Sequence, residues 1–273
     1  MNKINRYEQA IEALVELRSE ILAQEQTDSR ATAQLEMVLA NHAPLPKDAL
    51  FLGQADDGLP VLLNLLDPAP GPLLIQGDSG SGKTEFIRAV AAGIELCHDE
   101  KMVQYGVVTA RPHEWDDLPP SPHRIGIFSA HERVCCDFIM SLNTWAHSNR
   151  SDQSVILFWD GLDVVNQLDM EMVDNFRWML LRGPAKKVWP IVTLNTSRAH
   201  GLNSWDGYFR TAFNGVIESP EYNLVKVNSP YPFQANRIGA HSFTMQAGNE
   251  QVEIWMPAVG NAALGNMFRL SAG

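Results

Sequence analysis

The sequence predicts an α/β protein with a mostly parallel central sheet flanked by helices, and three observations predict it. Apolar runs at Val103–Thr109, Arg124–Ser129, Val155–Trp159 and Pro190–Leu194 alternate with helical stretches near 131–148 and 168–182. That order puts parallel strands in one sheet and right-handed crossover helices on its two faces. A glycine-rich octapeptide, Gly77-Asp78-Ser79-Gly80-Ser81-Gly82-Lys83-Thr84, stands between the apolar run Pro72–Gln76 and a helical pattern over Lys83–Leu96. Lastly, Val155-Ile156-Leu157-Phe158-Trp159-Asp160 reads as an apolar strand that ends in an acid.

In chain order, Ile4, Tyr7, Ile11, Leu14 and Ile21 recur at helical steps, interrupted at Arg18, and predict an amphipathic helix over 4–24. A second helical stretch, Ala31–Asn41, follows the polar connection Gln26-Thr27-Asp28-Ser29, where Asp28 or Ser29 serves as cap. Residues 1–43 therefore read as a helical hairpin and 44–273 as the main domain, with Pro44-Leu45-Pro46 breaking the helical pattern. Apolar runs between Leu50 and Leu66 flank Asp56-Asp57-Gly58, a predicted hairpin turn. The helix after the glycine-rich loop offers Phe86, Ile87, Val90, Ile94 and Leu96 as its apolar positions. Beyond Phe213 the runs Gly215–Glu218 and Gln251–Trp255 predict a small C-terminal β extension, either continuing the sheet or forming an antiparallel unit beside it.

A chain of 273 residues, 45% hydrophobic and 19% charged, fits one large domain with a modest appendage. No apolar run reaches the roughly 18 residues needed to cross a bilayer. The polar opening Met1–Arg6 lacks the apolar segment of a signal peptide, so the expectation is a cytoplasmic protein without membrane insertion. Cys97, Cys135 and Cys136 are an odd set without CxxC spacing and read as reduced packing residues. The eight histidines show neither HxH nor HExxH spacing, which argues against a histidine-held metal site. The net charge of −11 opposes non-specific adhesion to nucleic acid but leaves room for a ring with a small basic lining.

The octapeptide has the composition of a P-loop. Backbone N–H groups in such a turn converge on a β-phosphate, and the positive end of the following helix favours the same anion. Gly77, Asp78, Ser79, Gly80, Ser81 and Gly82 form the cradle, Lys83 brings a point charge to the β- and γ-phosphates, and Thr84 is the expected magnesium ligand. Asp160 is the expected acid on the magnesium side. Pro190–Thr196 is a strand whose exit presents Asn195, either to hold the attacking water and contact the γ-phosphate or simply to form a turn. ATP and Mg2+ are the implied ligands.

The order of these parts resembles the FtsK/HerA group of RecA-like ring motors, and more closely the motor domain of FtsK-type DNA translocases, over roughly residues 48–258. Phe51-Leu52-Gly53 followed by Asp57–Val61 looks like the group's lead-in to its P-loop, and Asn195 takes the place of its usual glutamine sensor. Ser242–Met245 and Val252–Met256 look like its final hairpin. The resemblance implies a hexameric ring, ATP bound between neighbours, an arginine supplied in trans, and a polymer cargo, most directly double-stranded DNA. Arg182 is the candidate arginine, because Pro184 occupies the nearest matching place, and Arg198 and Arg210 are alternatives. Lys186-Lys187 and Arg198-Ala199-His200 are the sparse candidates for a pore lining, and residues 1–41 for a protein partner. The group's winged-helix and membrane-spanning segments have no counterpart in this sequence.

One departure matters for chemistry. The group follows its magnesium-side Asp with a Glu that polarises water, whereas here Asp160 is followed by Gly161. Asp163, two positions on, or Glu85, after Thr84, is left to substitute for it. The sequence supports two expectations: a working but slow ATPase, or a nucleotide-dependent oligomeric scaffold with little or no hydrolysis.

Overall fold

The computed structural model describes residues 35–198, 205–215, 241–247 and 249–259. The expected helix over 4–24, the start of its partner over 31–41, and residues 216–218 of the run Gly215–Glu218 lie outside these. The described helices are α1 (Leu35–His42), α2 (Lys83–Cys97), α3 (Arg133–Ser148) and α4 (Met170–Arg182). The strands are β1 (Ala49–Ala55), β2 (Pro60–Asn64), β3 (Leu73–Gly77), β4 (Val103–Thr109), β5 (Arg124–Ser129), β6 (Ser154–Asp160), β7 (Val188–Asn195), β8 (Thr211–Gly215), β9 (His241–Ala247) and β10 (Glu250–Met256).

All these strands join one ten-stranded sheet in the order β2-β1-β10-β9-β8-β3-β7-β6-β4-β5. From β8 to β5 every pairing is parallel; from β8 to β2 every pairing is antiparallel. The C-terminal extension therefore continues the sheet, which resolves the alternative left open by the sequence. The β9–β10 hairpin pairs both with β8 and with β1, so neither is left with an unpaired edge. β1 and β2 form the hairpin expected around Asp56-Asp57-Gly58, closed by Ala55 N–H to Leu59 O at 2.8 Å and Gln54 Nε2 to Gly58 O at 2.6 Å.

The alternation of side chains along each strand divides the core into two layers. Ile156 and Phe158 of β6 join Trp189 and Ile191 of β7 under α1 and α2. Val155, Leu157 and Trp159 join Val188, Val192 and Leu194 under α3 and α4. Both faces of these strands are covered, which is why they read as continuous apolar runs rather than alternating ones. Phe86 of α2 meets Phe213 of β8 and Phe243 of β9, with ring centroids 5.2 and 4.9 Å apart, and so ties the helix to both halves of the sheet. Trp159 stacks on Phe176 of α4 at 4.0 Å. Leu35, Val38 and Leu39 of α1 are buried in the first layer, and Leu35 N–H bonds to Ala258 O at 3.1 Å.

Two details differ from the sequence expectation. Leu96 is 43% exposed because α2 turns it off the buried stripe. β7 begins at Val188 rather than Pro190, with Pro190 paired opposite Leu157 inside the sheet. The burial of Val188 and Trp189 explains the earlier start, since each fills one of the two apolar layers. Among the described residues no helix is long and apolar enough to cross a membrane.

Candidate nucleotide site

Because β3, β4, β6 and β7 are parallel, their exits share one edge of the sheet. Gly77 at the end of β3 lies opposite Asn195 at the end of β7, Asp160 of β6 lies opposite Thr193, and Thr109 of β4 lies opposite Asp160. Clefts beyond the carboxyl ends of parallel strands are where such sheets bind ligands. The glycine-rich loop leaves at this edge, and α2 starts at Lys83 with Gly82 as its N-cap at φ 80°, ψ 16°, a left-handed conformation natural to glycine. The loop thus delivers its amides and the positive end of a 15-residue helix to one point.

Lys83 Nζ donates to Asp78 O at 2.6 Å and lies 3.4 Å from Ser81 Oγ. Burial pushes its pKa below the ordinary lysine value; Asp160, Asp78 and Asp163 pull it back, and Arg111 adds to the lowering. Thr84 Oγ1 lies 3.3 and 3.2 Å from the two carboxylate oxygens of Asp160. Asp160 is only 2% exposed. A buried carboxylate needs partners, and Thr193 Oγ1 donates to its Oδ1 at 2.8 Å while accepting from the Gly161 N–H at 2.8 Å. Thr84 and Asp160 together present hard oxygen donors from two elements, a set suited to Mg2+.

At Gly161 the backbone has φ +106°, which a side-chain-bearing residue rarely adopts. The chain then enters the short 3-10 helix Leu162–Gln167, with Asp163 in its first turn. A Cβ built on Gly161 would lie 3.4 Å from Asp163 Oδ1. Asp163 therefore brings a carboxylate back beside the place where the missing Glu would have begun. Glu85, by contrast, is exposed and faces Arg88 at 4.0 Å, and Arg88 itself turns to Asp117 at 2.6 Å. The structure gathers Lys83, Thr84, Asp160 and Asp163 and leaves Glu85 on the flank.

Asn195 reaches the correct edge, but its Oδ1 accepts from Ser197 N at 3.1 Å and Ser197 Oγ at 2.7 Å, the turn-forming geometry. Thr196 Oγ1 bonds to Asp78 Oδ1. Arg198 Nη1 pairs with Asp163 Oδ2 at 3.3 Å within this chain. Arg182 ends α4 and Arg210 precedes β8, and both stand at the opposite edge of the sheet. Lys186 and Lys187, just before β7, share that edge. Ala199 and His200 lie outside the described residues.

Two site residues carry no motif in the sequence. Thr193 is marked only by its strand register with Asp160. Arg111, past the end of β4, pairs with Glu114 at 2.7 Å and is close enough to depress the pKa of Lys83.

No family model matches the chain. A 66-residue stretch is 35% identical to the magnesium-chelatase subunit ChlI of Cyanidium caldarium, covering 24% of this chain and 18% of that protein. Among solved structures the fold, a mostly parallel RecA-like sheet, is shared with several ATPases at low sequence identity. ATPases 2 and 3 of EssC from Geobacillus thermodenitrificans superpose with a TM-score of 0.58 at 15% identity, covering 84% of this chain. The cytoplasmic domain of the type VII secretion ATPase EccC from Thermomonospora curvata does so at 0.58 and 14%, covering 85%. The conjugation coupling protein TcpA of pCW3, solved with ATPγS, gives 0.54 and 9%, with 85% of this chain and 72% of that one covered. The chain spans 50% of the EssC fragment and 32% of the EccC domain.

Proposed function

We propose that this protein is a magnesium-dependent ATPase that binds ATP in the loop Gly77–Thr84. The observation that carries the reading is the convergence of Lys83, Thr84 and Asp160 on one sheet edge, with Asp160 locked by Thr193. Lys83 holds the β- and γ-phosphates, Thr84 and Asp160 hold Mg2+, and Asp163 orients the attacking water. Magnesium, held by Thr84 and Asp160, would neutralise negative charge on the phosphate groups. The water oxygen bonds to the γ-phosphorus, the bond to ADP breaks, and the proton leaves with the released phosphate.

The type of motor is proposed from the fold. The EssC ATPases, a type VII secretion ATPase and a conjugation coupling protein share it. We infer a ring of subunits, hexameric by resemblance, that works in the cytoplasm and translocates a polymer, with double-stranded DNA as the leading cargo. Arg182, at the edge remote from its own P-loop, suits the arginine supplied to a neighbour. Of the stretch 1–41, Leu35, Val38 and Leu39 pack in the chain's own core, so contact with a protein partner falls to residues 1–34.

Steady-state ATP hydrolysis with magnesium, with and without double-stranded DNA, tests this for wild type, Lys83→Ala and Asp163→Ala. Turnover that rises with DNA and disappears in Lys83→Ala supports a translocase. A second reading, the nucleotide-dependent scaffold, is favoured by Gly161 and by the net charge of −11. Binding without turnover in the wild type would select it.

A further inference from the structure

β7 ends at Asn195 and the chain turns at once through the 3-residue segment Thr196–Arg198. Each side chain of that turn holds part of the site. Thr196 Oγ1 bonds to Asp78 Oδ1 in the glycine-rich loop. Ser197 ties back to Asn195 through its amide and hydroxyl. Arg198 Nη1 donates to Asp163 Oδ2 at 3.3 Å. The turn is therefore anchored on the P-loop at one end and on Asp163 at the other.

The exposures of the ion pair show its direction. The Asp163 side chain is 15% exposed and that of Arg198 70%, so the guanidinium covers the carboxylate from the open side. It engages Oδ2, while Oδ1 is the oxygen that faces Gly161, 3.4 Å from a Cβ built there. A lone carboxylate on a short 3-10 helix turns about two side-chain bonds, and a charge-assisted hydrogen bond to one oxygen fixes the direction of the other.

We propose that Arg198 is a positioning residue acting within its own subunit: it holds Asp163 by Oδ2 and so directs Oδ1 to accept a hydrogen bond from the attacking water. The inference rests on the ATPase reading above and deepens it, replacing a trans role for Arg198 with a cis one. Catalysis of phosphoryl transfer is mostly positioning, so an effect on turnover rather than on nucleotide affinity is required.

The test compares wild type, Arg198→Ala, Arg198→Lys, Asp163→Asn and the Arg198→Ala/Asp163→Asn double variant for kcat, for KM and for affinity toward a fluorescent ATP analogue with magnesium. Arg198→Ala is expected to lose about 10- to 100-fold in kcat, the usual cost of removing a group that orients a functional one, with affinity unchanged. Arg198→Lys should recover most of the loss, and the double variant should be no slower than Asp163→Asn alone. Unchanged kcat in Arg198→Ala, or a double variant whose losses add, would overturn the proposal. A trans role is separated by mixing Arg198→Ala with Lys83→Ala subunits: recovered turnover would show that Arg198 serves a neighbour and would also overturn it. Failure of the wild type to bind the analogue would instead remove the ATPase reading itself. Binding with no wild-type turnover would leave the P-loop assignment standing and remove the role given to Arg198.

Discussion

Replacing Thr193 with Val removes one hydroxyl and keeps the branched shape, so the perturbation is polar rather than steric. In the fold that hydroxyl donates to Asp160 Oδ1 and accepts from the Gly161 N–H, each at 2.8 Å. A hydrogen bond to a charged group contributes about 1.5–3 kcal/mol, and a buried N–H stripped of its acceptor costs about 1–3 kcal/mol. Gly161 is only half-buried, so water relieves part of the second cost and the sum comes to about 2–4 kcal/mol. For a domain of this size that lowers Tm by about 5–15 °C. Asp160 also loses the partner that aims it at Thr84, and magnesium affinity should fall by about 10- to 100-fold. Thermal melts and a magnesium titration of ATP hydrolysis read both effects, with Thr193→Ser as the control that keeps the hydroxyl. A Val variant that melts within about 2 °C of wild type, with the same magnesium dependence, would refute the reasoning.

Gly161→Glu, which restores the residue expected after Asp160, should not restore faster hydrolysis. The backbone at φ +106° costs a side chain about 1–3 kcal/mol; a gain in turnover would contradict this. Lys83 has a pKa depressed by burial, so the unfolded chain binds that proton more tightly than the native one. Wild type should therefore gain stability relative to Lys83→Met as pH rises through the window just below the ordinary lysine value, while ATP affinity falls; melts and nucleotide titrations across that range check the opposite slopes. Cys135 is fully buried and its pKa is pushed up to about 12, so it should resist alkylation at about pH 8 in the native protein and react in urea, as mass spectrometry would show.

Features carried by local patterning were legible in the sequence. The parallel strands announce themselves as apolar runs because both faces are covered, and the P-loop because its glycines and Lys83-Thr84 are contiguous. Asp160 is legible for the same reason, as the acid closing such a run. What depends on register was not legible: Thr193 is a site residue only because β7 pairs with β6 one residue at a time, ending Asp160 opposite Thr193. Arg111 and Arg198 belong to the site because their strands exit at the same edge, which spacing along the chain does not reveal. The placement of Asp163 beside Gly161 and of Glu85 on the flank likewise depends on a 3-10 turn and a helical face. Pro190 misled the start of β7, since a residue without an N–H reads as a strand boundary although here it sits within the sheet.

The account stands on the P-loop holding ATP with magnesium, and direct titration of a non-hydrolysable ATP analogue tests that most simply. The wild type should bind in the presence of magnesium and weaken when it is chelated, with Lys83→Ala and Asp160→Ala both folded and both impaired. Equal binding by wild type and Lys83→Ala, or no binding by the wild type, would contradict it.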